Sequence, residues 1–355
     1  MQELNFAVLG AGFWANYQVP GWLELPGVKL LATCDRDLSR AQALADRFGA
    51  SHAYADPDEL LRNHAAELDF VDVITQVETH RALVEKVVAH GLPVICQKPM
   101  ADSLADAQAM LAAARAANVP AFVHENWRWQ APVRRIKEIL DAETIGKPFR
   151  SRLQFCHAFP VFENQPALRE VKHLALADVG SHLFDVARLW FGEVSQVYCR
   201  TTTVNPTVRG EDVATTLLSH RSGVESVVEL SFSSRFARDP FPESFYVVEG
   251  SEGSVTLSYD NALTITTRQG VETLKADPPA LYDWVNPDYA LVHCSIVDCN
   301  RNILKQLRGE GASEMVATDN FETARLVWAA YESAKTGNVV RLNHDWPGLM
   351  DLQDG

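Results

Sequence analysis

The sequence predicts an α/β protein: an N-terminal parallel sheet with crossover helices, then an α+β portion built on a large, mostly antiparallel open sheet. Three observations carry this. Strand and helix signals alternate with short connections over the first 125 residues, and a glycine-rich turn closes the first strand. After about residue 126, β-rich runs follow one another with few helices between them. Strand–helix alternation gives parallel pairing, because parallel neighbours need crossovers. Closely spaced strands without crossovers pair antiparallel. A chain of 355 residues suits two domains. The expected division is 1–125 and 126–355, with the last helix a candidate to pack back on the first domain.

Leu4–Leu9 (LNFAVL) reads as strand one, ending in Gly10-Ala11-Gly12, and Val28–Cys34 (VKLLATC) as a second strand closed by Asp35. Ser39 followed by Gln42 resembles a capping box, opening a helix to about Phe48. Asp56-Pro57-Asp58-Glu59 combines an N-cap, proline at the first helical position and an acidic first turn. Phe70–Thr75 is a strand; His80–His90 is helical, with Leu83, Val84, Val87 and Val88 on one face. Pro93–Gln97 is a strand, Ser103 with Asp106 caps the following helix, and Ala121–Val123 is a last short strand.

Beyond it, a helix around Val133–Leu140 leads to strand Phe149–Phe159, and Ser181–Phe191 is helical. Val194–Val204, Val213–His220, Val224–Phe232, Phe245–Glu249, Ser254–Leu257 and Leu263–Thr267 are the β-rich runs. Helices near Ala290–Leu307 and Phe321–Thr336 come last.

The net charge of −14 and the lack of any basic block argue against nucleic acid and against an anionic membrane surface as partners. No apolar run approaches the roughly 18 residues of a membrane span. The start, MQELNFAVLGAG, lacks the pattern of a secretory signal. Six scattered cysteines with no CxxC pair read as buried thiols, so a reducing cytoplasm is expected. No metal site is expected.

Gly10-Ala11-Gly12-Phe13-Trp14-Ala15 fits G-x-G-x-x-[G/A] between a strand and a helix. The first glycine makes the tight turn, the second lets backbone approach a pyrophosphate, and Ala15 allows close helix–strand packing. Asp35, at the end of the second strand, stands where an acidic residue hydrogen-bonds an adenosine ribose. A carboxylate there repels a 2′-phosphate, favouring NAD over NADP, while Arg36 could accept that phosphate or stack on adenine. Asp35 also reads as a plain turn residue.

Asp178 and His182 lie four apart, which on a helix puts them on one face, with Asp185 three further on. A histidine oriented by a carboxylate can take the proton of an alcohol. A helix-start carboxylate beside a packed histidine is the alternative. Lys98 follows the Pro93–Gln97 strand, and ligands bind outside the carboxyl ends of parallel strands. A lysine snorkelling to the rim is its alternative.

Over nearly its whole length the sequence resembles the Gfo/Idh/MocA (glucose–fructose oxidoreductase/inositol dehydrogenase) family of nicotinamide-dependent sugar and polyol dehydrogenases. The likeness rests on Gly10-Ala11-Gly12, Thr75 through His80, Gln97-Lys98-Pro99, the Asp178/His182 pair and the segment Ala329–Val340. It implies a Rossmann NAD-binding domain with Gly10, Gly12, Phe13, Trp14, Ala15, Asp35, Arg36, Thr75, Gln76, His80, Gln97 and Lys98 toward the cofactor. It implies Lys98 as the group stabilising alkoxide charge, His182 as general acid/base, and Asp178 as a substrate contact that helps position the histidine. A cis Lys98–Pro99 bond and a homodimer or homotetramer formed through the open sheet are implied as well. Two positions depart: Gln97 stands for the family glutamate and Gln76 for proline. Gln97 is expected to contact the cofactor ribose without charge.

On the substrate side, His124-Glu125-Asn126-Trp127-Arg128-Trp129 follows the last short strand. Indole faces suit a sugar ring, and Asn126 with Arg128 can bind hydroxyls or a carboxylate. Domain-junction packing of Trp127 and Trp129 is the alternative. His157 is a further substrate candidate, against plain packing; Arg169 and His173 sit in a polar loop that could line the mouth. The function expected is NAD-dependent oxidation of a small carbohydrate: an aldose such as apiose or xylose to its lactone, or a polyol to a ketone. A non-catalytic dinucleotide or sugar sensor is the alternative.

Overall fold

The computed structural model of the chain describes residues 3–343 and 346. In chain order its elements begin β1 (Leu4–Leu9), α1 (Ala15–Leu23), β2 (Val28–Cys34), α2 (Leu38–Phe48), β3 (His52–Tyr54), α3 (Pro57–His64), β4 (Phe70–Val73), α4 (His80–Ala89), β5 (Val94–Gln97), α5 (Leu104–Ala117) and β6 (Ala121–His124). They continue with α6 (Ala131–Asp141), β7 (Pro148–Cys156), α7 (Val161–Asn164), α8 (Ser181–Phe191), β8 (Val194–Thr202), β9 (Val213–His220), β10 (Glu225–Ser231) and β11 (Phe245–Gly250). The remainder are β12 (Gly253–Ser258), β13 (Ala262–Thr267), β14 (Gly270–Lys275), α9 (Ala290–Leu307), α10 (Ala317–Thr336) and β15 (Val340–Arg341).

The chain divides into two compact units. The first joins the described residues up to Asn126 with Ala280–Glu322; the second joins Trp127–Pro279 with the described residues from Thr323 on. The segment 126–355 is therefore not one body, since α9 and the start of α10 belong with the first unit. Gly21 in α1 shows why. A Cβ there would lie 2.7 Å from a methyl carbon of Ile296, so α9 sits directly on α1.

The first unit holds a six-stranded parallel sheet in the order β3-β2-β1-β4-β5-β6. The order reverses between β1 and β4, which puts the crevice for a ligand at their carboxyl ends. Apolar strand residues pack beneath α3, α4 and α5. On the other face Phe6 stacks on Phe70 at 5.2 Å, with Trp22 against Phe70 at 4.9 Å; burying each ring contributes roughly 2–3 kcal/mol. Caps mark the helix starts. Asp56 accepts from Asp58 N, and Ser103 Oγ accepts from Asp106 N at 3.0 Å while donating to the Asp106 carboxylate. The α2 cap is Asp37, which accepts from Ser39 N, instead of the expected Ser39–Gln42 box.

Across the middle of this sheet runs a polar chain. Asp72, in β4, has no solvent exposure. Its oxygens accept from Gln18 Nε2 at 2.8 and 2.9 Å and from the Trp22 indole at 2.7 Å. Burial pushes the Asp72 carboxyl up to about 7, against these donors.

The second unit is built on a nine-stranded sheet ordered β14-β13-β12-β11-β7-β10-β9-β8-β15. β7 and β10 pair parallel; the other pairs are antiparallel. One core cluster gathers its inward residues with α6, α8 and the later turns of α10. All six cysteines are buried free thiols. No helix among the described residues is long and apolar enough to cross a membrane, and no cluster of His, Cys, Asp or Glu among them could hold a metal.

The Asp72 carboxyl gives stability a testable pH dependence. Its folded pKa lies above the ordinary unfolded value near 3.9, so the folded state holds the extra proton and this group's contribution is lost as pH rises from about 4 to about 7. Chemical denaturation from pH 5 to pH 8 should show Asp72→Asn gaining on the wild type by a few kcal/mol at most, since each tenfold change in proton affinity is worth about 1.4 kcal/mol. A gap independent of pH would refute the assigned burial effect.

Candidate active site

In the first unit the crevice is formed by the turns after β1, β2, β4 and β5. Gly10 has φ +105°, and a Cβ there would fall 2.3 Å from the Ile74 carbonyl oxygen, so the turn admits only glycine. A Cβ on Gly12 would meet nothing within 4 Å, which leaves that backbone open to a ligand. α1 then starts at Ala15 without a side-chain cap, and the Trp14 indole N–H is buried with no protein partner. An uncapped helix end beside an unpaired buried donor fits a dinucleotide pyrophosphate. Phe13 is largely exposed.

Asp35 braces this loop: its Oδ2 accepts from Ala11 N at 2.8 Å and its Oδ1 from Asp37 N at 3.0 Å. Arg36 is exposed. After β4, the Thr79 hydroxyl sits 2.8 Å from both Thr75 Oγ1 and the Gln76 carbonyl.

Two expected cofactor contacts have other partners. The buried His80 ring faces the Thr75 carbonyl at 3.1 Å through Nε2 and the Pro99 and Met100 carbonyls at 3.1 and 3.3 Å through Nδ1. It ties two crevice loops together, and burial holds its pKa down. Gln97 Nε2 donates to Gln18, and its Oε1 accepts from the Lys98 backbone N–H at 2.9 Å. The Gln97 amide is thus hydrogen-bonded within the unit. Lys98 follows β5 half-buried, and its bond to Pro99 is cis.

The second unit carries the other candidates. Asp178 lies in a single π-helical turn, Leu176–Gly180, that runs into α8. Such wide turns are often found at functional sites, and they alter the angular offset that ordinary α spacing assigns to Asp178 and His182. The buried His182 ring stacks on Trp127 at 4.4 Å and 9°. Trp127 meets Phe155 edge-on at 5.2 Å, and Phe155 meets His157 at 5.0 Å. His182 and His157 therefore stand at the two ends of one aromatic row.

Three substrate candidates are held within the protein. Asn126 donates to the Val292 carbonyl at 3.1 Å and to Ser295 Oγ at 2.8 Å, anchoring the chain to α9. Arg128 is buried and forks onto Asp185 at 2.7 and 2.5 Å, with Thr323 also on that carboxylate. Asp185 thus serves this pair. His157 is enclosed by Phe155, Phe232 and Phe241, and neither ring nitrogen has a partner or solvent access. Burial pushes its pKa down to about 4, leaving the ring neutral. In the polar loop, Arg169 bonds Thr207, and His173 packs against Trp328 and Tyr331.

Sequence reasoning missed Gln18, Trp22 and Asp72. The visible signal was an aspartate inside an apolar strand, FVDV, which requires buried donors.

Residues 4–125 match the model of an oxidoreductase family with an NAD-binding Rossmann fold, and residues 133–256 match the GFO/IDH/MocA C-terminal domain. The chain belongs to the Gfo/Idh/MocA oxidoreductase family. It is 39% identical over 340 residues to a D-apiose dehydrogenase of Rhizobium rhizogenes, covering 96% of this chain and 98% of that one. It is 41% identical over 342 residues to a D-apiose dehydrogenase of Paraburkholderia graminis, covering 96% and 90%. An oxidoreductase from Agrobacterium radiobacter, solved in complex with NAD+, L-tartaric acid and magnesium, superposes with a TM-score of 0.93 at 38% identity, covering 96% and 98%.

For this Gfo/Idh/MocA chain, the buried pair and the enclosed histidine are structural assignments with measurable consequences. Removing Arg128 takes a guanidinium countercharge from the buried Asp185 carboxylate, so Arg128→Met should lower unfolding free energy by about 3–5 kcal/mol. A loss under roughly 1 kcal/mol in urea denaturation would contradict a buried pair. His157→Phe removes an unsatisfied buried imidazole. With a folded pKa near 4 against about 6.5 unfolded, the wild type loses stability as pH falls through that window. The variant's relative stability should therefore rise from pH 8 to pH 5, with the sugar KM unchanged. A large rise in sugar KM would instead make His157 a substrate contact.

Proposed function

We propose that this chain oxidises D-apiose, or a closely similar pentose, at its anomeric carbon to the lactone, with NAD as hydride acceptor. The likeness to two D-apiose dehydrogenases over 96% of the chain carries this reading. NAD, when bound, supplies the acceptor carbon at nicotinamide C4. The Lys98 ammonium meets the reacting oxygen and stabilises the alkoxide charge that develops on it. His182 Nδ1 or Nε2 takes the hydroxyl proton as the C–H electron pair leaves as hydride, so C=O forms and both hydrogens are accounted for. Asp178 contacts the substrate and helps position His182. Stacking on Trp127 supports this role by holding the imidazole in one plane. Asp35, at the end of β2, favours NAD over NADP.

The six buried thiols support a cytoplasmic setting. The outward pair Tyr198 and Leu217, opposite each other on β8 and β9, supports self-association through the open sheet face. A sensor function is disfavoured by the joint presence of Lys98, Asp178 and His182.

Purified protein with NAD and a panel of D-apiose, other pentoses and polyols, followed by absorbance of the reduced cofactor, tests the proposal. Turnover should be greatest with D-apiose and NAD, and Lys98→Met should reduce kcat by at least about a thousandfold while NAD binding survives. Preference for a polyol overturns the substrate. Activity of Lys98→Met within a few-fold of wild type overturns the lysine's role, and tight NAD binding without any turnover would bring the sensor forward.

A further inference from the structure

The buried chain that ends at Lys98 has one polarity. Gln18 Nε2 lies against both oxygens of Asp72, and even with a proton on one oxygen the other only accepts, so the Gln18 amide turns its N–H groups that way. Its Oε1 is left to accept from Gln97 Nε2, and Gln97 Oε1 then accepts from the Lys98 N–H. The second hydrogen of Gln97 Nε2 faces His124 Nδ1 at 3.5 Å, whose other nitrogen is 3.0 Å from Asn300 Oδ1. Reversing either amide would set oxygen against oxygen or N–H against N–H. Gln18, Gln97 and Asp72 are all buried, so water cannot replace a lost partner.

We infer that Asp72 and Gln18 are positioning residues for Lys98, acting through Gln97 to hold the lysine's backbone N–H at the carboxyl end of β5. The inference rests on the proposed role of Lys98. Its chemistry favours an amide at position 97: an ionised glutamate could accept from Lys98 but could not donate to Gln18. With Gln97→Glu, two acceptor-only groups would flank one Gln18 amide, and one end must break. Adding Asp72→Asn in the same chain supplies a donor at the far end. The Gln18 amide can then turn over, donating to the new carboxylate at position 97 and accepting from the new amide at position 72. The oxygen of that new amide keeps the Trp22 indole. The whole chain runs in reverse, and Lys98 keeps its acceptor.

The test uses full-length protein labelled with 15N-lysine, as wild type, Gln97→Glu, the Asp72→Asn/Gln97→Glu pair and Lys98→Met. Two readings are taken: amide exchange at Lys98, which needs no substrate, and kcat with KM for NAD and D-apiose. Gln97→Glu should speed Lys98 exchange at least about tenfold and lower kcat by a similar factor with the KM for NAD unchanged. The paired variant should bring both readings to within about threefold of wild type. Unchanged exchange in Gln97→Glu, or no recovery in the pair, overturns the inference. If Gln97→Glu does not fold, Gln18→Met decides by the same exchange reading: faster exchange supports the chain, and unchanged exchange overturns it. The two proposals separate cleanly. An active Lys98→Met variant defeats the role of the lysine and leaves the exchange result standing, whereas an inactive Lys98→Met beside an unaffected Gln97→Glu defeats the chain alone.

Discussion

A carboxyl group without access to water sits in a central strand of the parallel sheet, and the polar interior around it follows from its need for donors. Trp22 and Gln18, one turn apart on α1, supply them. Once Gln18 has spent its N–H groups on Asp72, only its oxygen remains, and the residue at 97 must donate. That is a physical reason for glutamine where the family resemblance leads one to expect glutamate. The residue expected to contact the cofactor ribose without charge also belongs to the frame beneath the crevice.

Much of the fold was legible because its elements are long or strongly patterned. The apolar strands β1, β2, β4 and β5 stand out from their neighbours, and Asp56-Pro57 and Ser103 announce α3 and α5. β3 escaped notice because three half-buried residues, His52–Tyr54, show no periodicity. β14 was missed because most of its residues are exposed, so no alternation marks it. The assignment of α9 to the first unit was not legible at all. It depends on Gly21 admitting Ile296 against α1, a contact between residues 275 positions apart.

The site was legible in residue type more than in role. In the stretch 124–129, the chemistry suited to sugars is mostly used for structure. His124 and Asn126 bond to residues of α9, whereas Arg128 forks onto Asp185 and Trp129 holds the Arg134 guanidinium at 3.5 Å over its ring. The boundary between the two units falls inside this stretch, between Asn126 and Trp127. Polar side chains at such a boundary need buried partners on their own side, and spacing alone does not reveal which partners the fold provides. Trp127 stacks on His182, the residue proposed as general acid/base.

The Asp178/His182 pair shows the same gap between pattern and geometry. Four residues apart on an α-helix would make the two side chains near neighbours on one face. Here a π-turn holds Asp178, and ordinary α-helix resumes at Ser181. The local sequence explains why the wide turn is tolerated. Gly180 packs where a Cβ would come within 3.1 Å of a Leu230 methyl on β10, so the turn lies close against the sheet. A side chain at 180 would press on that methyl, and the neighbour would have to give by a few tenths of an ångström. The spacing D-x-x-x-H therefore does not translate into α-helical phase here, because a π-turn seated close on the sheet carries the first residue and α-helix carries the second.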